Sequence, residues 1–200
     1  GTTSTGFAVS GNGGNGLGGT VITITGGTIT GTGHYLREKK PDLQIIAVEP
    51  DKKNYKKLVK FVGDTPSVQC YQCAAWCVDT ELPFASKAGR QSQVVMEGMS
   101  TPARAVDNLL AGNPVTLLKM DVEGAEREAL WGASRSIARY APKLMISLYH
   151  RNEDIFELPL LVRRINPRYK LYIRHLPYIP AWETSLYAVC DETGNTQYGD

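Results

Sequence analysis

Glu49, Asp121 and His150 each close an apolar run: "LQIIAVE" (43–49), "VTLLKMD" (115–121) and "KLMISLYH" (143–150). Buried strands that finish on an ionisable residue place that residue at a sheet edge, where open α/β sheets take their ligands. An acid in the position of Glu49, one strand after a glycine-rich turn, accepts hydrogen bonds from ribose hydroxyls in dinucleotide-type sites. Asp121 opens the densest polar cluster of the chain, "DVEGAE", with Glu123 and Glu126 around Gly124. A first helical turn favours acids by itself, because they complement its unpaired N–H groups and the helix dipole. That reading covers Glu123 and Glu126 and makes a metal site unnecessary; it leaves Asp121, on a buried strand, in need of a role. His150 is the first candidate general base, since imidazole titrates near neutrality. Asp121 is the second, as base or as orienter of acceptor or cofactor, and His175 is a weaker third. Gly26, Gly27 and Thr28, in "TGGT", offer backbone N–H groups to an anion at a helix start.

The elements that must position these residues alternate. "TVITIT" (20–25) is β-branched and strand-like, and a short helix follows, stopped by Pro41. The run at 43–48 is apolar on both faces, as a central parallel strand is. Asp51 is placed to cap a helix carrying Tyr55, Leu58, Val59 and Val62 at helical spacing. A strand is expected over 67–73, short strands and turns over 74–113, and a single helix from Gly124 to Tyr140 with Ala125, Ala129, Ala133 and Ile137 on one side. Strand 143–150, a helix over 153–165 containing Pro159, and two closing strands, "YKLYIRHL" and "ETSLYAVC", complete the chain. This alternation predicts one open, mostly parallel α/β sheet. The expected organisation is a Gly/Ser/Thr/Asn-rich lead-in over 1–19, one domain over 20–190 and a tail over 191–200.

The 200 residues suffice for one domain with its own core, and the net charge of +2 is spread without a basic stripe, which argues against nucleic acid as a partner. The longest apolar runs are strand-length, so no membrane span is expected, and no signal segment is visible. Cys70, Cys73 and Cys77, in "CYQCAAWC", lack a fourth ligand nearby, and on a strand Cys70 and Cys73 face opposite sides. They read as reduced, small hydrophobes in a cytoplasmic protein. The sequence leaves the oligomeric state open.

The "KMDVEGAE" and "ISLYH" pieces, together with "AVEPDKKNYKKL", "CAAWCVDTELPF" and "GRQSQVV", closely resemble the FkbM-type methyltransferases over roughly residues 47 to 189. The resemblance implies a Rossmann-like class I methyltransferase fold, with a mostly parallel seven-stranded sheet ending in an antiparallel hairpin. It also implies S-adenosylmethionine as cofactor, Glu49 at its ribose, and Ala75 and Trp76 near adenine. Asp121 and Glu123 would complete the cofactor site. The expected reaction is O-methylation of a small-molecule or sugar hydroxyl, with Arg174, Tyr178 and Trp182 candidates for an acceptor pocket.

Residues 25 to 50, "TGGTITGTGHYLREKKPDLQIIAVEP", are instead similar to the phosphate-loop unit of cysteine synthase-like pyridoxal-phosphate enzymes. The two resemblances meet near "VEP", where exchange preserves a βαβ unit. Thr25 stands where FkbM-type enzymes usually carry an acid, and loss of that contact to the cofactor's amino group weakens binding by roughly 1.5–3 kcal/mol. The alternative is therefore a catalytically inert Rossmann-like binding module with an altered cofactor loop. A third reading is an anion- or nucleotide-phosphate-binding domain. No lysine motif supports covalent pyridoxal chemistry.

Overall fold

A computed structural model describes residues 20–24, 43–85, 93–94, 99–175 and 184–190. Gly26, Gly27, Thr28, Thr25, Tyr178, Trp182, the lead-in and the tail lie outside the described residues.

The elements, in chain order, are β1 (Thr20–Ile24), β2 (Gln44–Val48), α1 (Lys52–Val62), β3 (Val68–Tyr71), β4 (Ala74–Trp76), β5 (Thr80–Ala85), β6 (Gln93–Val94) and β7 (Met99–Ala105). There follow α2 (Val106–Leu110), β8 (Val115–Met120), α3 (Glu126–Gly132), α4 (Ser134–Tyr140), β9 (Lys143–Ser147), α5 (Asp154–Ile165), β10 (Lys170–His175) and β11 (Thr184–Val189).

Seven of these strands form a mixed sheet in the order β10-β11-β9-β8-β1-β2-β3. The pairs β2–β3, β1–β2, β1–β8 and β8–β9 are parallel, whereas β11 runs antiparallel to both β9 and β10. Ile45, Ile46, Ala47 and Val48 of β2 are all buried, as required of a strand covered on both faces. At the far edge, Tyr172 and Ile173 of β10 are exposed. The main core joins Leu118 and Met120 of β8 and Leu144 and Ile146 of β9 to Ala129, Leu130, Ile137, Leu158 and Val162 of the helices. Pro159 is accommodated inside α5. No helix among the described residues is long and apolar enough to cross a membrane.

A second sheet, in the order β4-β7-β5-β6, is built from the segment expected to hold short strands and turns. Its β4 lies under α3 so closely that a Cβ on Gly132 would come 1.9 Å from the carbonyl oxygen of Trp76.

Three expectations need correction. The single helix over 124–140 is two: α3 ends at Gly132, Ala133 adopts φ −105° and ψ 1°, and α4 starts at Ser134. The apolar stripe is continuous, with Ala125, Ala129, Ala133 and Ile137 all buried, but stripe spacing cannot show a break in the hydrogen-bond ladder. The break is held from outside, because the Asp107 carboxylate accepts the N–H groups of Arg135 and Ser136 at 3.0 and 2.9 Å and so caps α4 from α2. Secondly, β9 stops at Ser147, so His150 stands in the loop after the strand, not at its last position. Thirdly, β3 stops at Tyr71, so strand alternation does not relate Cys70 to Cys73. Cys73 is packed in the main core, and burial pushes its thiol up to about 11, which keeps it a small hydrophobe.

Candidate active site

The register aligns the strand tips. Ile24 of β1 pairs with Val48 on one side and Met120 on the other; Met120 pairs with Ile146, and Val48 with Tyr71. Glu49 and Asp121, each one residue past those partners, therefore leave the same edge of the sheet, two strand spacings or about 10 Å apart across β1.

Glu49 is buried beside β3, where its backbone N–H reaches the Tyr71 carbonyl oxygen at 3.1 Å. Its Oε1 accepts the N–H of Asp51 at 2.8 Å, and Oε2 is buried with no hydrogen-bond partner. Burial pushes this carboxyl up to about 7; the Asp51 N–H opposes the rise, and the charges of Asp51 and Glu123 add to it. Asp51 itself accepts the N–H groups of Lys53 and Asn54 at 2.9 and 2.8 Å, so the α1 cap anticipated from the sequence also fixes the turn that carries Glu49.

Across β1, Asp121 is enclosed by donors. Tyr149 donates its hydroxyl to Oδ1 at 2.8 Å, and Lys119 Nζ lies 3.9 Å from Oδ2. Beyond Asp121 the backbone turns through left-handed positions at Glu123 (φ 53°) and Gly124 (φ 94°), which only glycine adopts without strain. That turn presents Glu123 Oε2 at 3.4 Å from His150 Nε2, and Asp121 Oδ1 stands 3.5 Å from the same nitrogen. On the other side of the ring, Nδ1 meets Glu126 Oε1 at 2.7 Å. The same Glu126 oxygen accepts the Val122 N–H at 2.9 Å, reaching back over the start of α3.

Burial disfavours the charged imidazole, but Glu123, Glu126 and Asp121 outweigh it and push His150 up to about 10. With a side chain only 8% exposed, His150 has Nδ1 held by Glu126 and Nε2 facing Asp121 and Glu123. Asp121, with a side chain 21% exposed, is the more accessible of the two candidate bases. Tyr149 does not replace it, because burial and the Asp121 charge push its hydroxyl far up and keep it a donor.

The other sequence candidates are less central. Ala75 is part of the main core and spends its side chain on packing, and Trp76 of β4 is half-buried against α3. His175 is exposed in the hairpin, its Nδ1 3.0 Å from Thr184 Oγ1, and Arg174 of β10 is exposed. Sequence reasoning gave no role to Lys119 or Tyr149, and it treated Glu126 only as a helix-start acid. A buried lysine inside the apolar run "VTLLKMD" was the available signal for the first.

The methyltransferase FkbM domain profile matches residues 28–178 of this sequence. The chain belongs to the FkbM methyltransferase family. A crystal structure of methyltransferase FkbM from Methylobacillus flagellatus superposes with a TM-score of 0.69 at 27% identity, covering 86% of this chain and 43% of the other. This FkbM chain thus spans less than half the length of that relative. Fibrillarin, a pre-rRNA processing protein of Methanococcus jannaschii, gives a TM-score of 0.54 at 8% identity, over 87% of this chain and 66% of its own. A Streptococcus mutans protein solved in complex with SAH gives 0.51 at 11% identity, over 87% and 90%. These two distant likenesses concern the fold, which is the Rossmann-like α/β fold of class I methyltransferases. The FkbM match begins at residue 28 and so takes in most of residues 25–50.

Proposed function

We propose that this FkbM domain binds S-adenosylmethionine across the tips of β2, β1 and β8 and methylates a hydroxyl oxygen of a small-molecule or sugar acceptor. The observation that carries the reading is Glu49: a buried carboxylate at the tip of β2 with one oxygen, Oε2, left without a partner. Such an atom costs free energy unless a ligand donor reaches it, and the hydroxyls of a ribose are donors of the right kind. The residues present therefore fit the adenosyl group on the β2 side. On the β8 side, Asp121 and Glu123 put negative charge where a cationic cofactor gains from it.

The cofactor supplies an electrophilic methyl group on a sulfonium; the protein's work is to orient and to move a proton. Glu49 holds the ribose, and ionisation improves it as an acceptor. Asp121, kept in place by the Tyr149 hydroxyl and the Lys119 ammonium, takes the acceptor's proton. His150 serves as the buried positive charge that lets Asp121, Glu123 and Glu126 crowd together.

Calorimetry with S-adenosylmethionine, S-adenosylhomocysteine and pyridoxal phosphate tests the proposal. Binding of the first two, lost in Glu49→Ala, is expected. Pyridoxal phosphate or simple phosphate binding alone would favour the anion-binding reading, and no binding at all would favour the inert module that Thr25 suggests.

A further inference from the structure

We infer that Asp121, Glu123 and His150 form a site for a divalent transition-metal cation, with Glu126 orienting the imidazole. Acids at a helix start are not enough for such a site; the second observation comes from another strand. His150, carried by the loop after β9, brings in a nitrogen whose side chain is 8% exposed and which has no hydrogen-bond partner. That nitrogen, Nε2, is aimed between Asp121 Oδ1 at 3.5 Å and Glu123 Oε2 at 3.4 Å, too far for good hydrogen bonds to either. Atoms that bind one cation at 2.0–2.2 Å stand about 3–3.5 Å apart, which is the spacing found for each oxygen against Nε2. Ligand atoms of Asp121, Glu126 and His150 lie within 4.8 Å of one another, so Glu126 stands beside the proposed ligands as the orienting carboxylate.

The second layer of a metal site is present as well. Metal-bound histidines hand their remaining N–H to a carboxylate or carbonyl, which fixes the tautomer and the ring. Here Nδ1 meets Glu126 Oε1 at 2.7 Å, and the Glu126 side chain is fully buried. A bound cation would take the place of the proton on Nε2, leaving the proton on Nδ1 towards Glu126. Three carboxylates facing one imidazole also leave negative charge that a divalent ion neutralises better than a proton does. One imidazole with carboxylates suits Mn²⁺, Fe²⁺, Co²⁺ or Zn²⁺ better than the all-oxygen preference of Mg²⁺. The cation would share Asp121 with the proposed transfer chemistry. Its role there rests on the methyl-transfer reading, but its binding does not.

The test uses the chain stripped with a chelator and held without cofactor, so that its outcome is separate from methyl transfer. Mn²⁺ is titrated and followed by electron paramagnetic resonance, and Zn²⁺ by calorimetry, with Mg²⁺ in parallel. One saturable site per chain is expected, binding Mn²⁺ or Zn²⁺ more tightly than Mg²⁺. Asp121→Asn and His150→Ala should each weaken it at least a hundredfold, and Glu126→Gln about 10–100-fold, as other carboxylates behind a ligating histidine do. Asp121→Asn changes few atoms and serves where His150→Ala does not fold, as checked by circular dichroism. No saturable binding of either metal below about 100 μM, or binding that a folded Asp121→Asn leaves intact, overturns the site, whatever the calorimetry of S-adenosylmethionine gives.

Discussion

His150 Nδ1 stands 2.7 Å from Glu126 Oε1, and that same oxygen takes the Val122 N–H at 2.9 Å. One buried carboxylate thus ties together the end of β8, the start of α3 and the loop after β9. Glu126→Ala strands a buried imidazolium and a backbone donor, and should cost about 3–5 kcal/mol of unfolding free energy. Glu126→Gln keeps an acceptor and loses the charge, so its urea midpoint should fall between the two. Equal midpoints for wild type and Glu126→Ala would show that the tie carries no stability.

Glu49 predicts opposite pH dependences for stability and for cofactor affinity. Its folded-state carboxyl is raised from 4.5 to about 7, mainly by burial. Below the lower value both states are protonated. Between the two, the folded chain binds the extra proton, so stability falls as pH rises and is fully lost above the folded value. The contribution is about 3 kcal/mol for the ligand-free chain. Asp154, raised to about 6 by burial and by Glu126, slopes the same way. Glu49→Gln should flatten most of the decline between pH 5 and 8 in urea titrations. Binding of S-adenosylhomocysteine should instead strengthen up to about pH 7, as Glu49 ionises, and become weaker and pH-independent in Glu49→Gln. A wild-type affinity unchanged from pH 5 to 8 would remove Glu49 from the ribose.

The strand tips were legible in the sequence because a buried parallel strand is a run of apolar residues, and the polar residue that ends it marks the edge. That logic found Glu49 and Asp121, and the Asp51 cap followed from its place before an amphipathic run. What it missed depends on side chains arriving from elsewhere in the chain. Asp107 caps α4 from 28 and 29 residues away, so nothing local in 124–140 announces the break at Ala133. His150 was read by its ordinary titration near neutrality. The three carboxylates that change it come partly from the far side of α3's turn, at spacings of 24 residues and more. Tyr149 and Lys119 meet Asp121 through the register of β8 and β9, a relation no local pattern shows.

Gly132 is a point where α3 packs on the second sheet. A Cβ there would lie 1.9 Å from the Trp76 carbonyl oxygen and 3.3 Å from Ala105 Cα, both backbone atoms that cannot step aside as a side chain would. Gly132→Ala should therefore destabilise by about 3 kcal/mol or more, although alanine is the better helix former. The loss should appear as a lower urea midpoint. A midpoint at or above wild type would mean that α3 does not pack on β4 at this distance.

Asp121 and Tyr149 separate the base from the group that holds it. If Asp121 takes the acceptor's proton, Asp121→Asn should lower kcat by 10²–10⁴ while cofactor affinity, set mainly by Glu49, changes much less. Tyr149→Phe removes the 2.8 Å hydrogen bond to Oδ1 but leaves the carboxylate, so kcat should drop only about tenfold. The double variant should then turn over no more slowly than Asp121→Asn alone, because the tyrosine acts through the aspartate. Fully multiplicative effects in that double-variant cycle, measured under single-turnover conditions, would show that Tyr149 works on the reaction independently of Asp121.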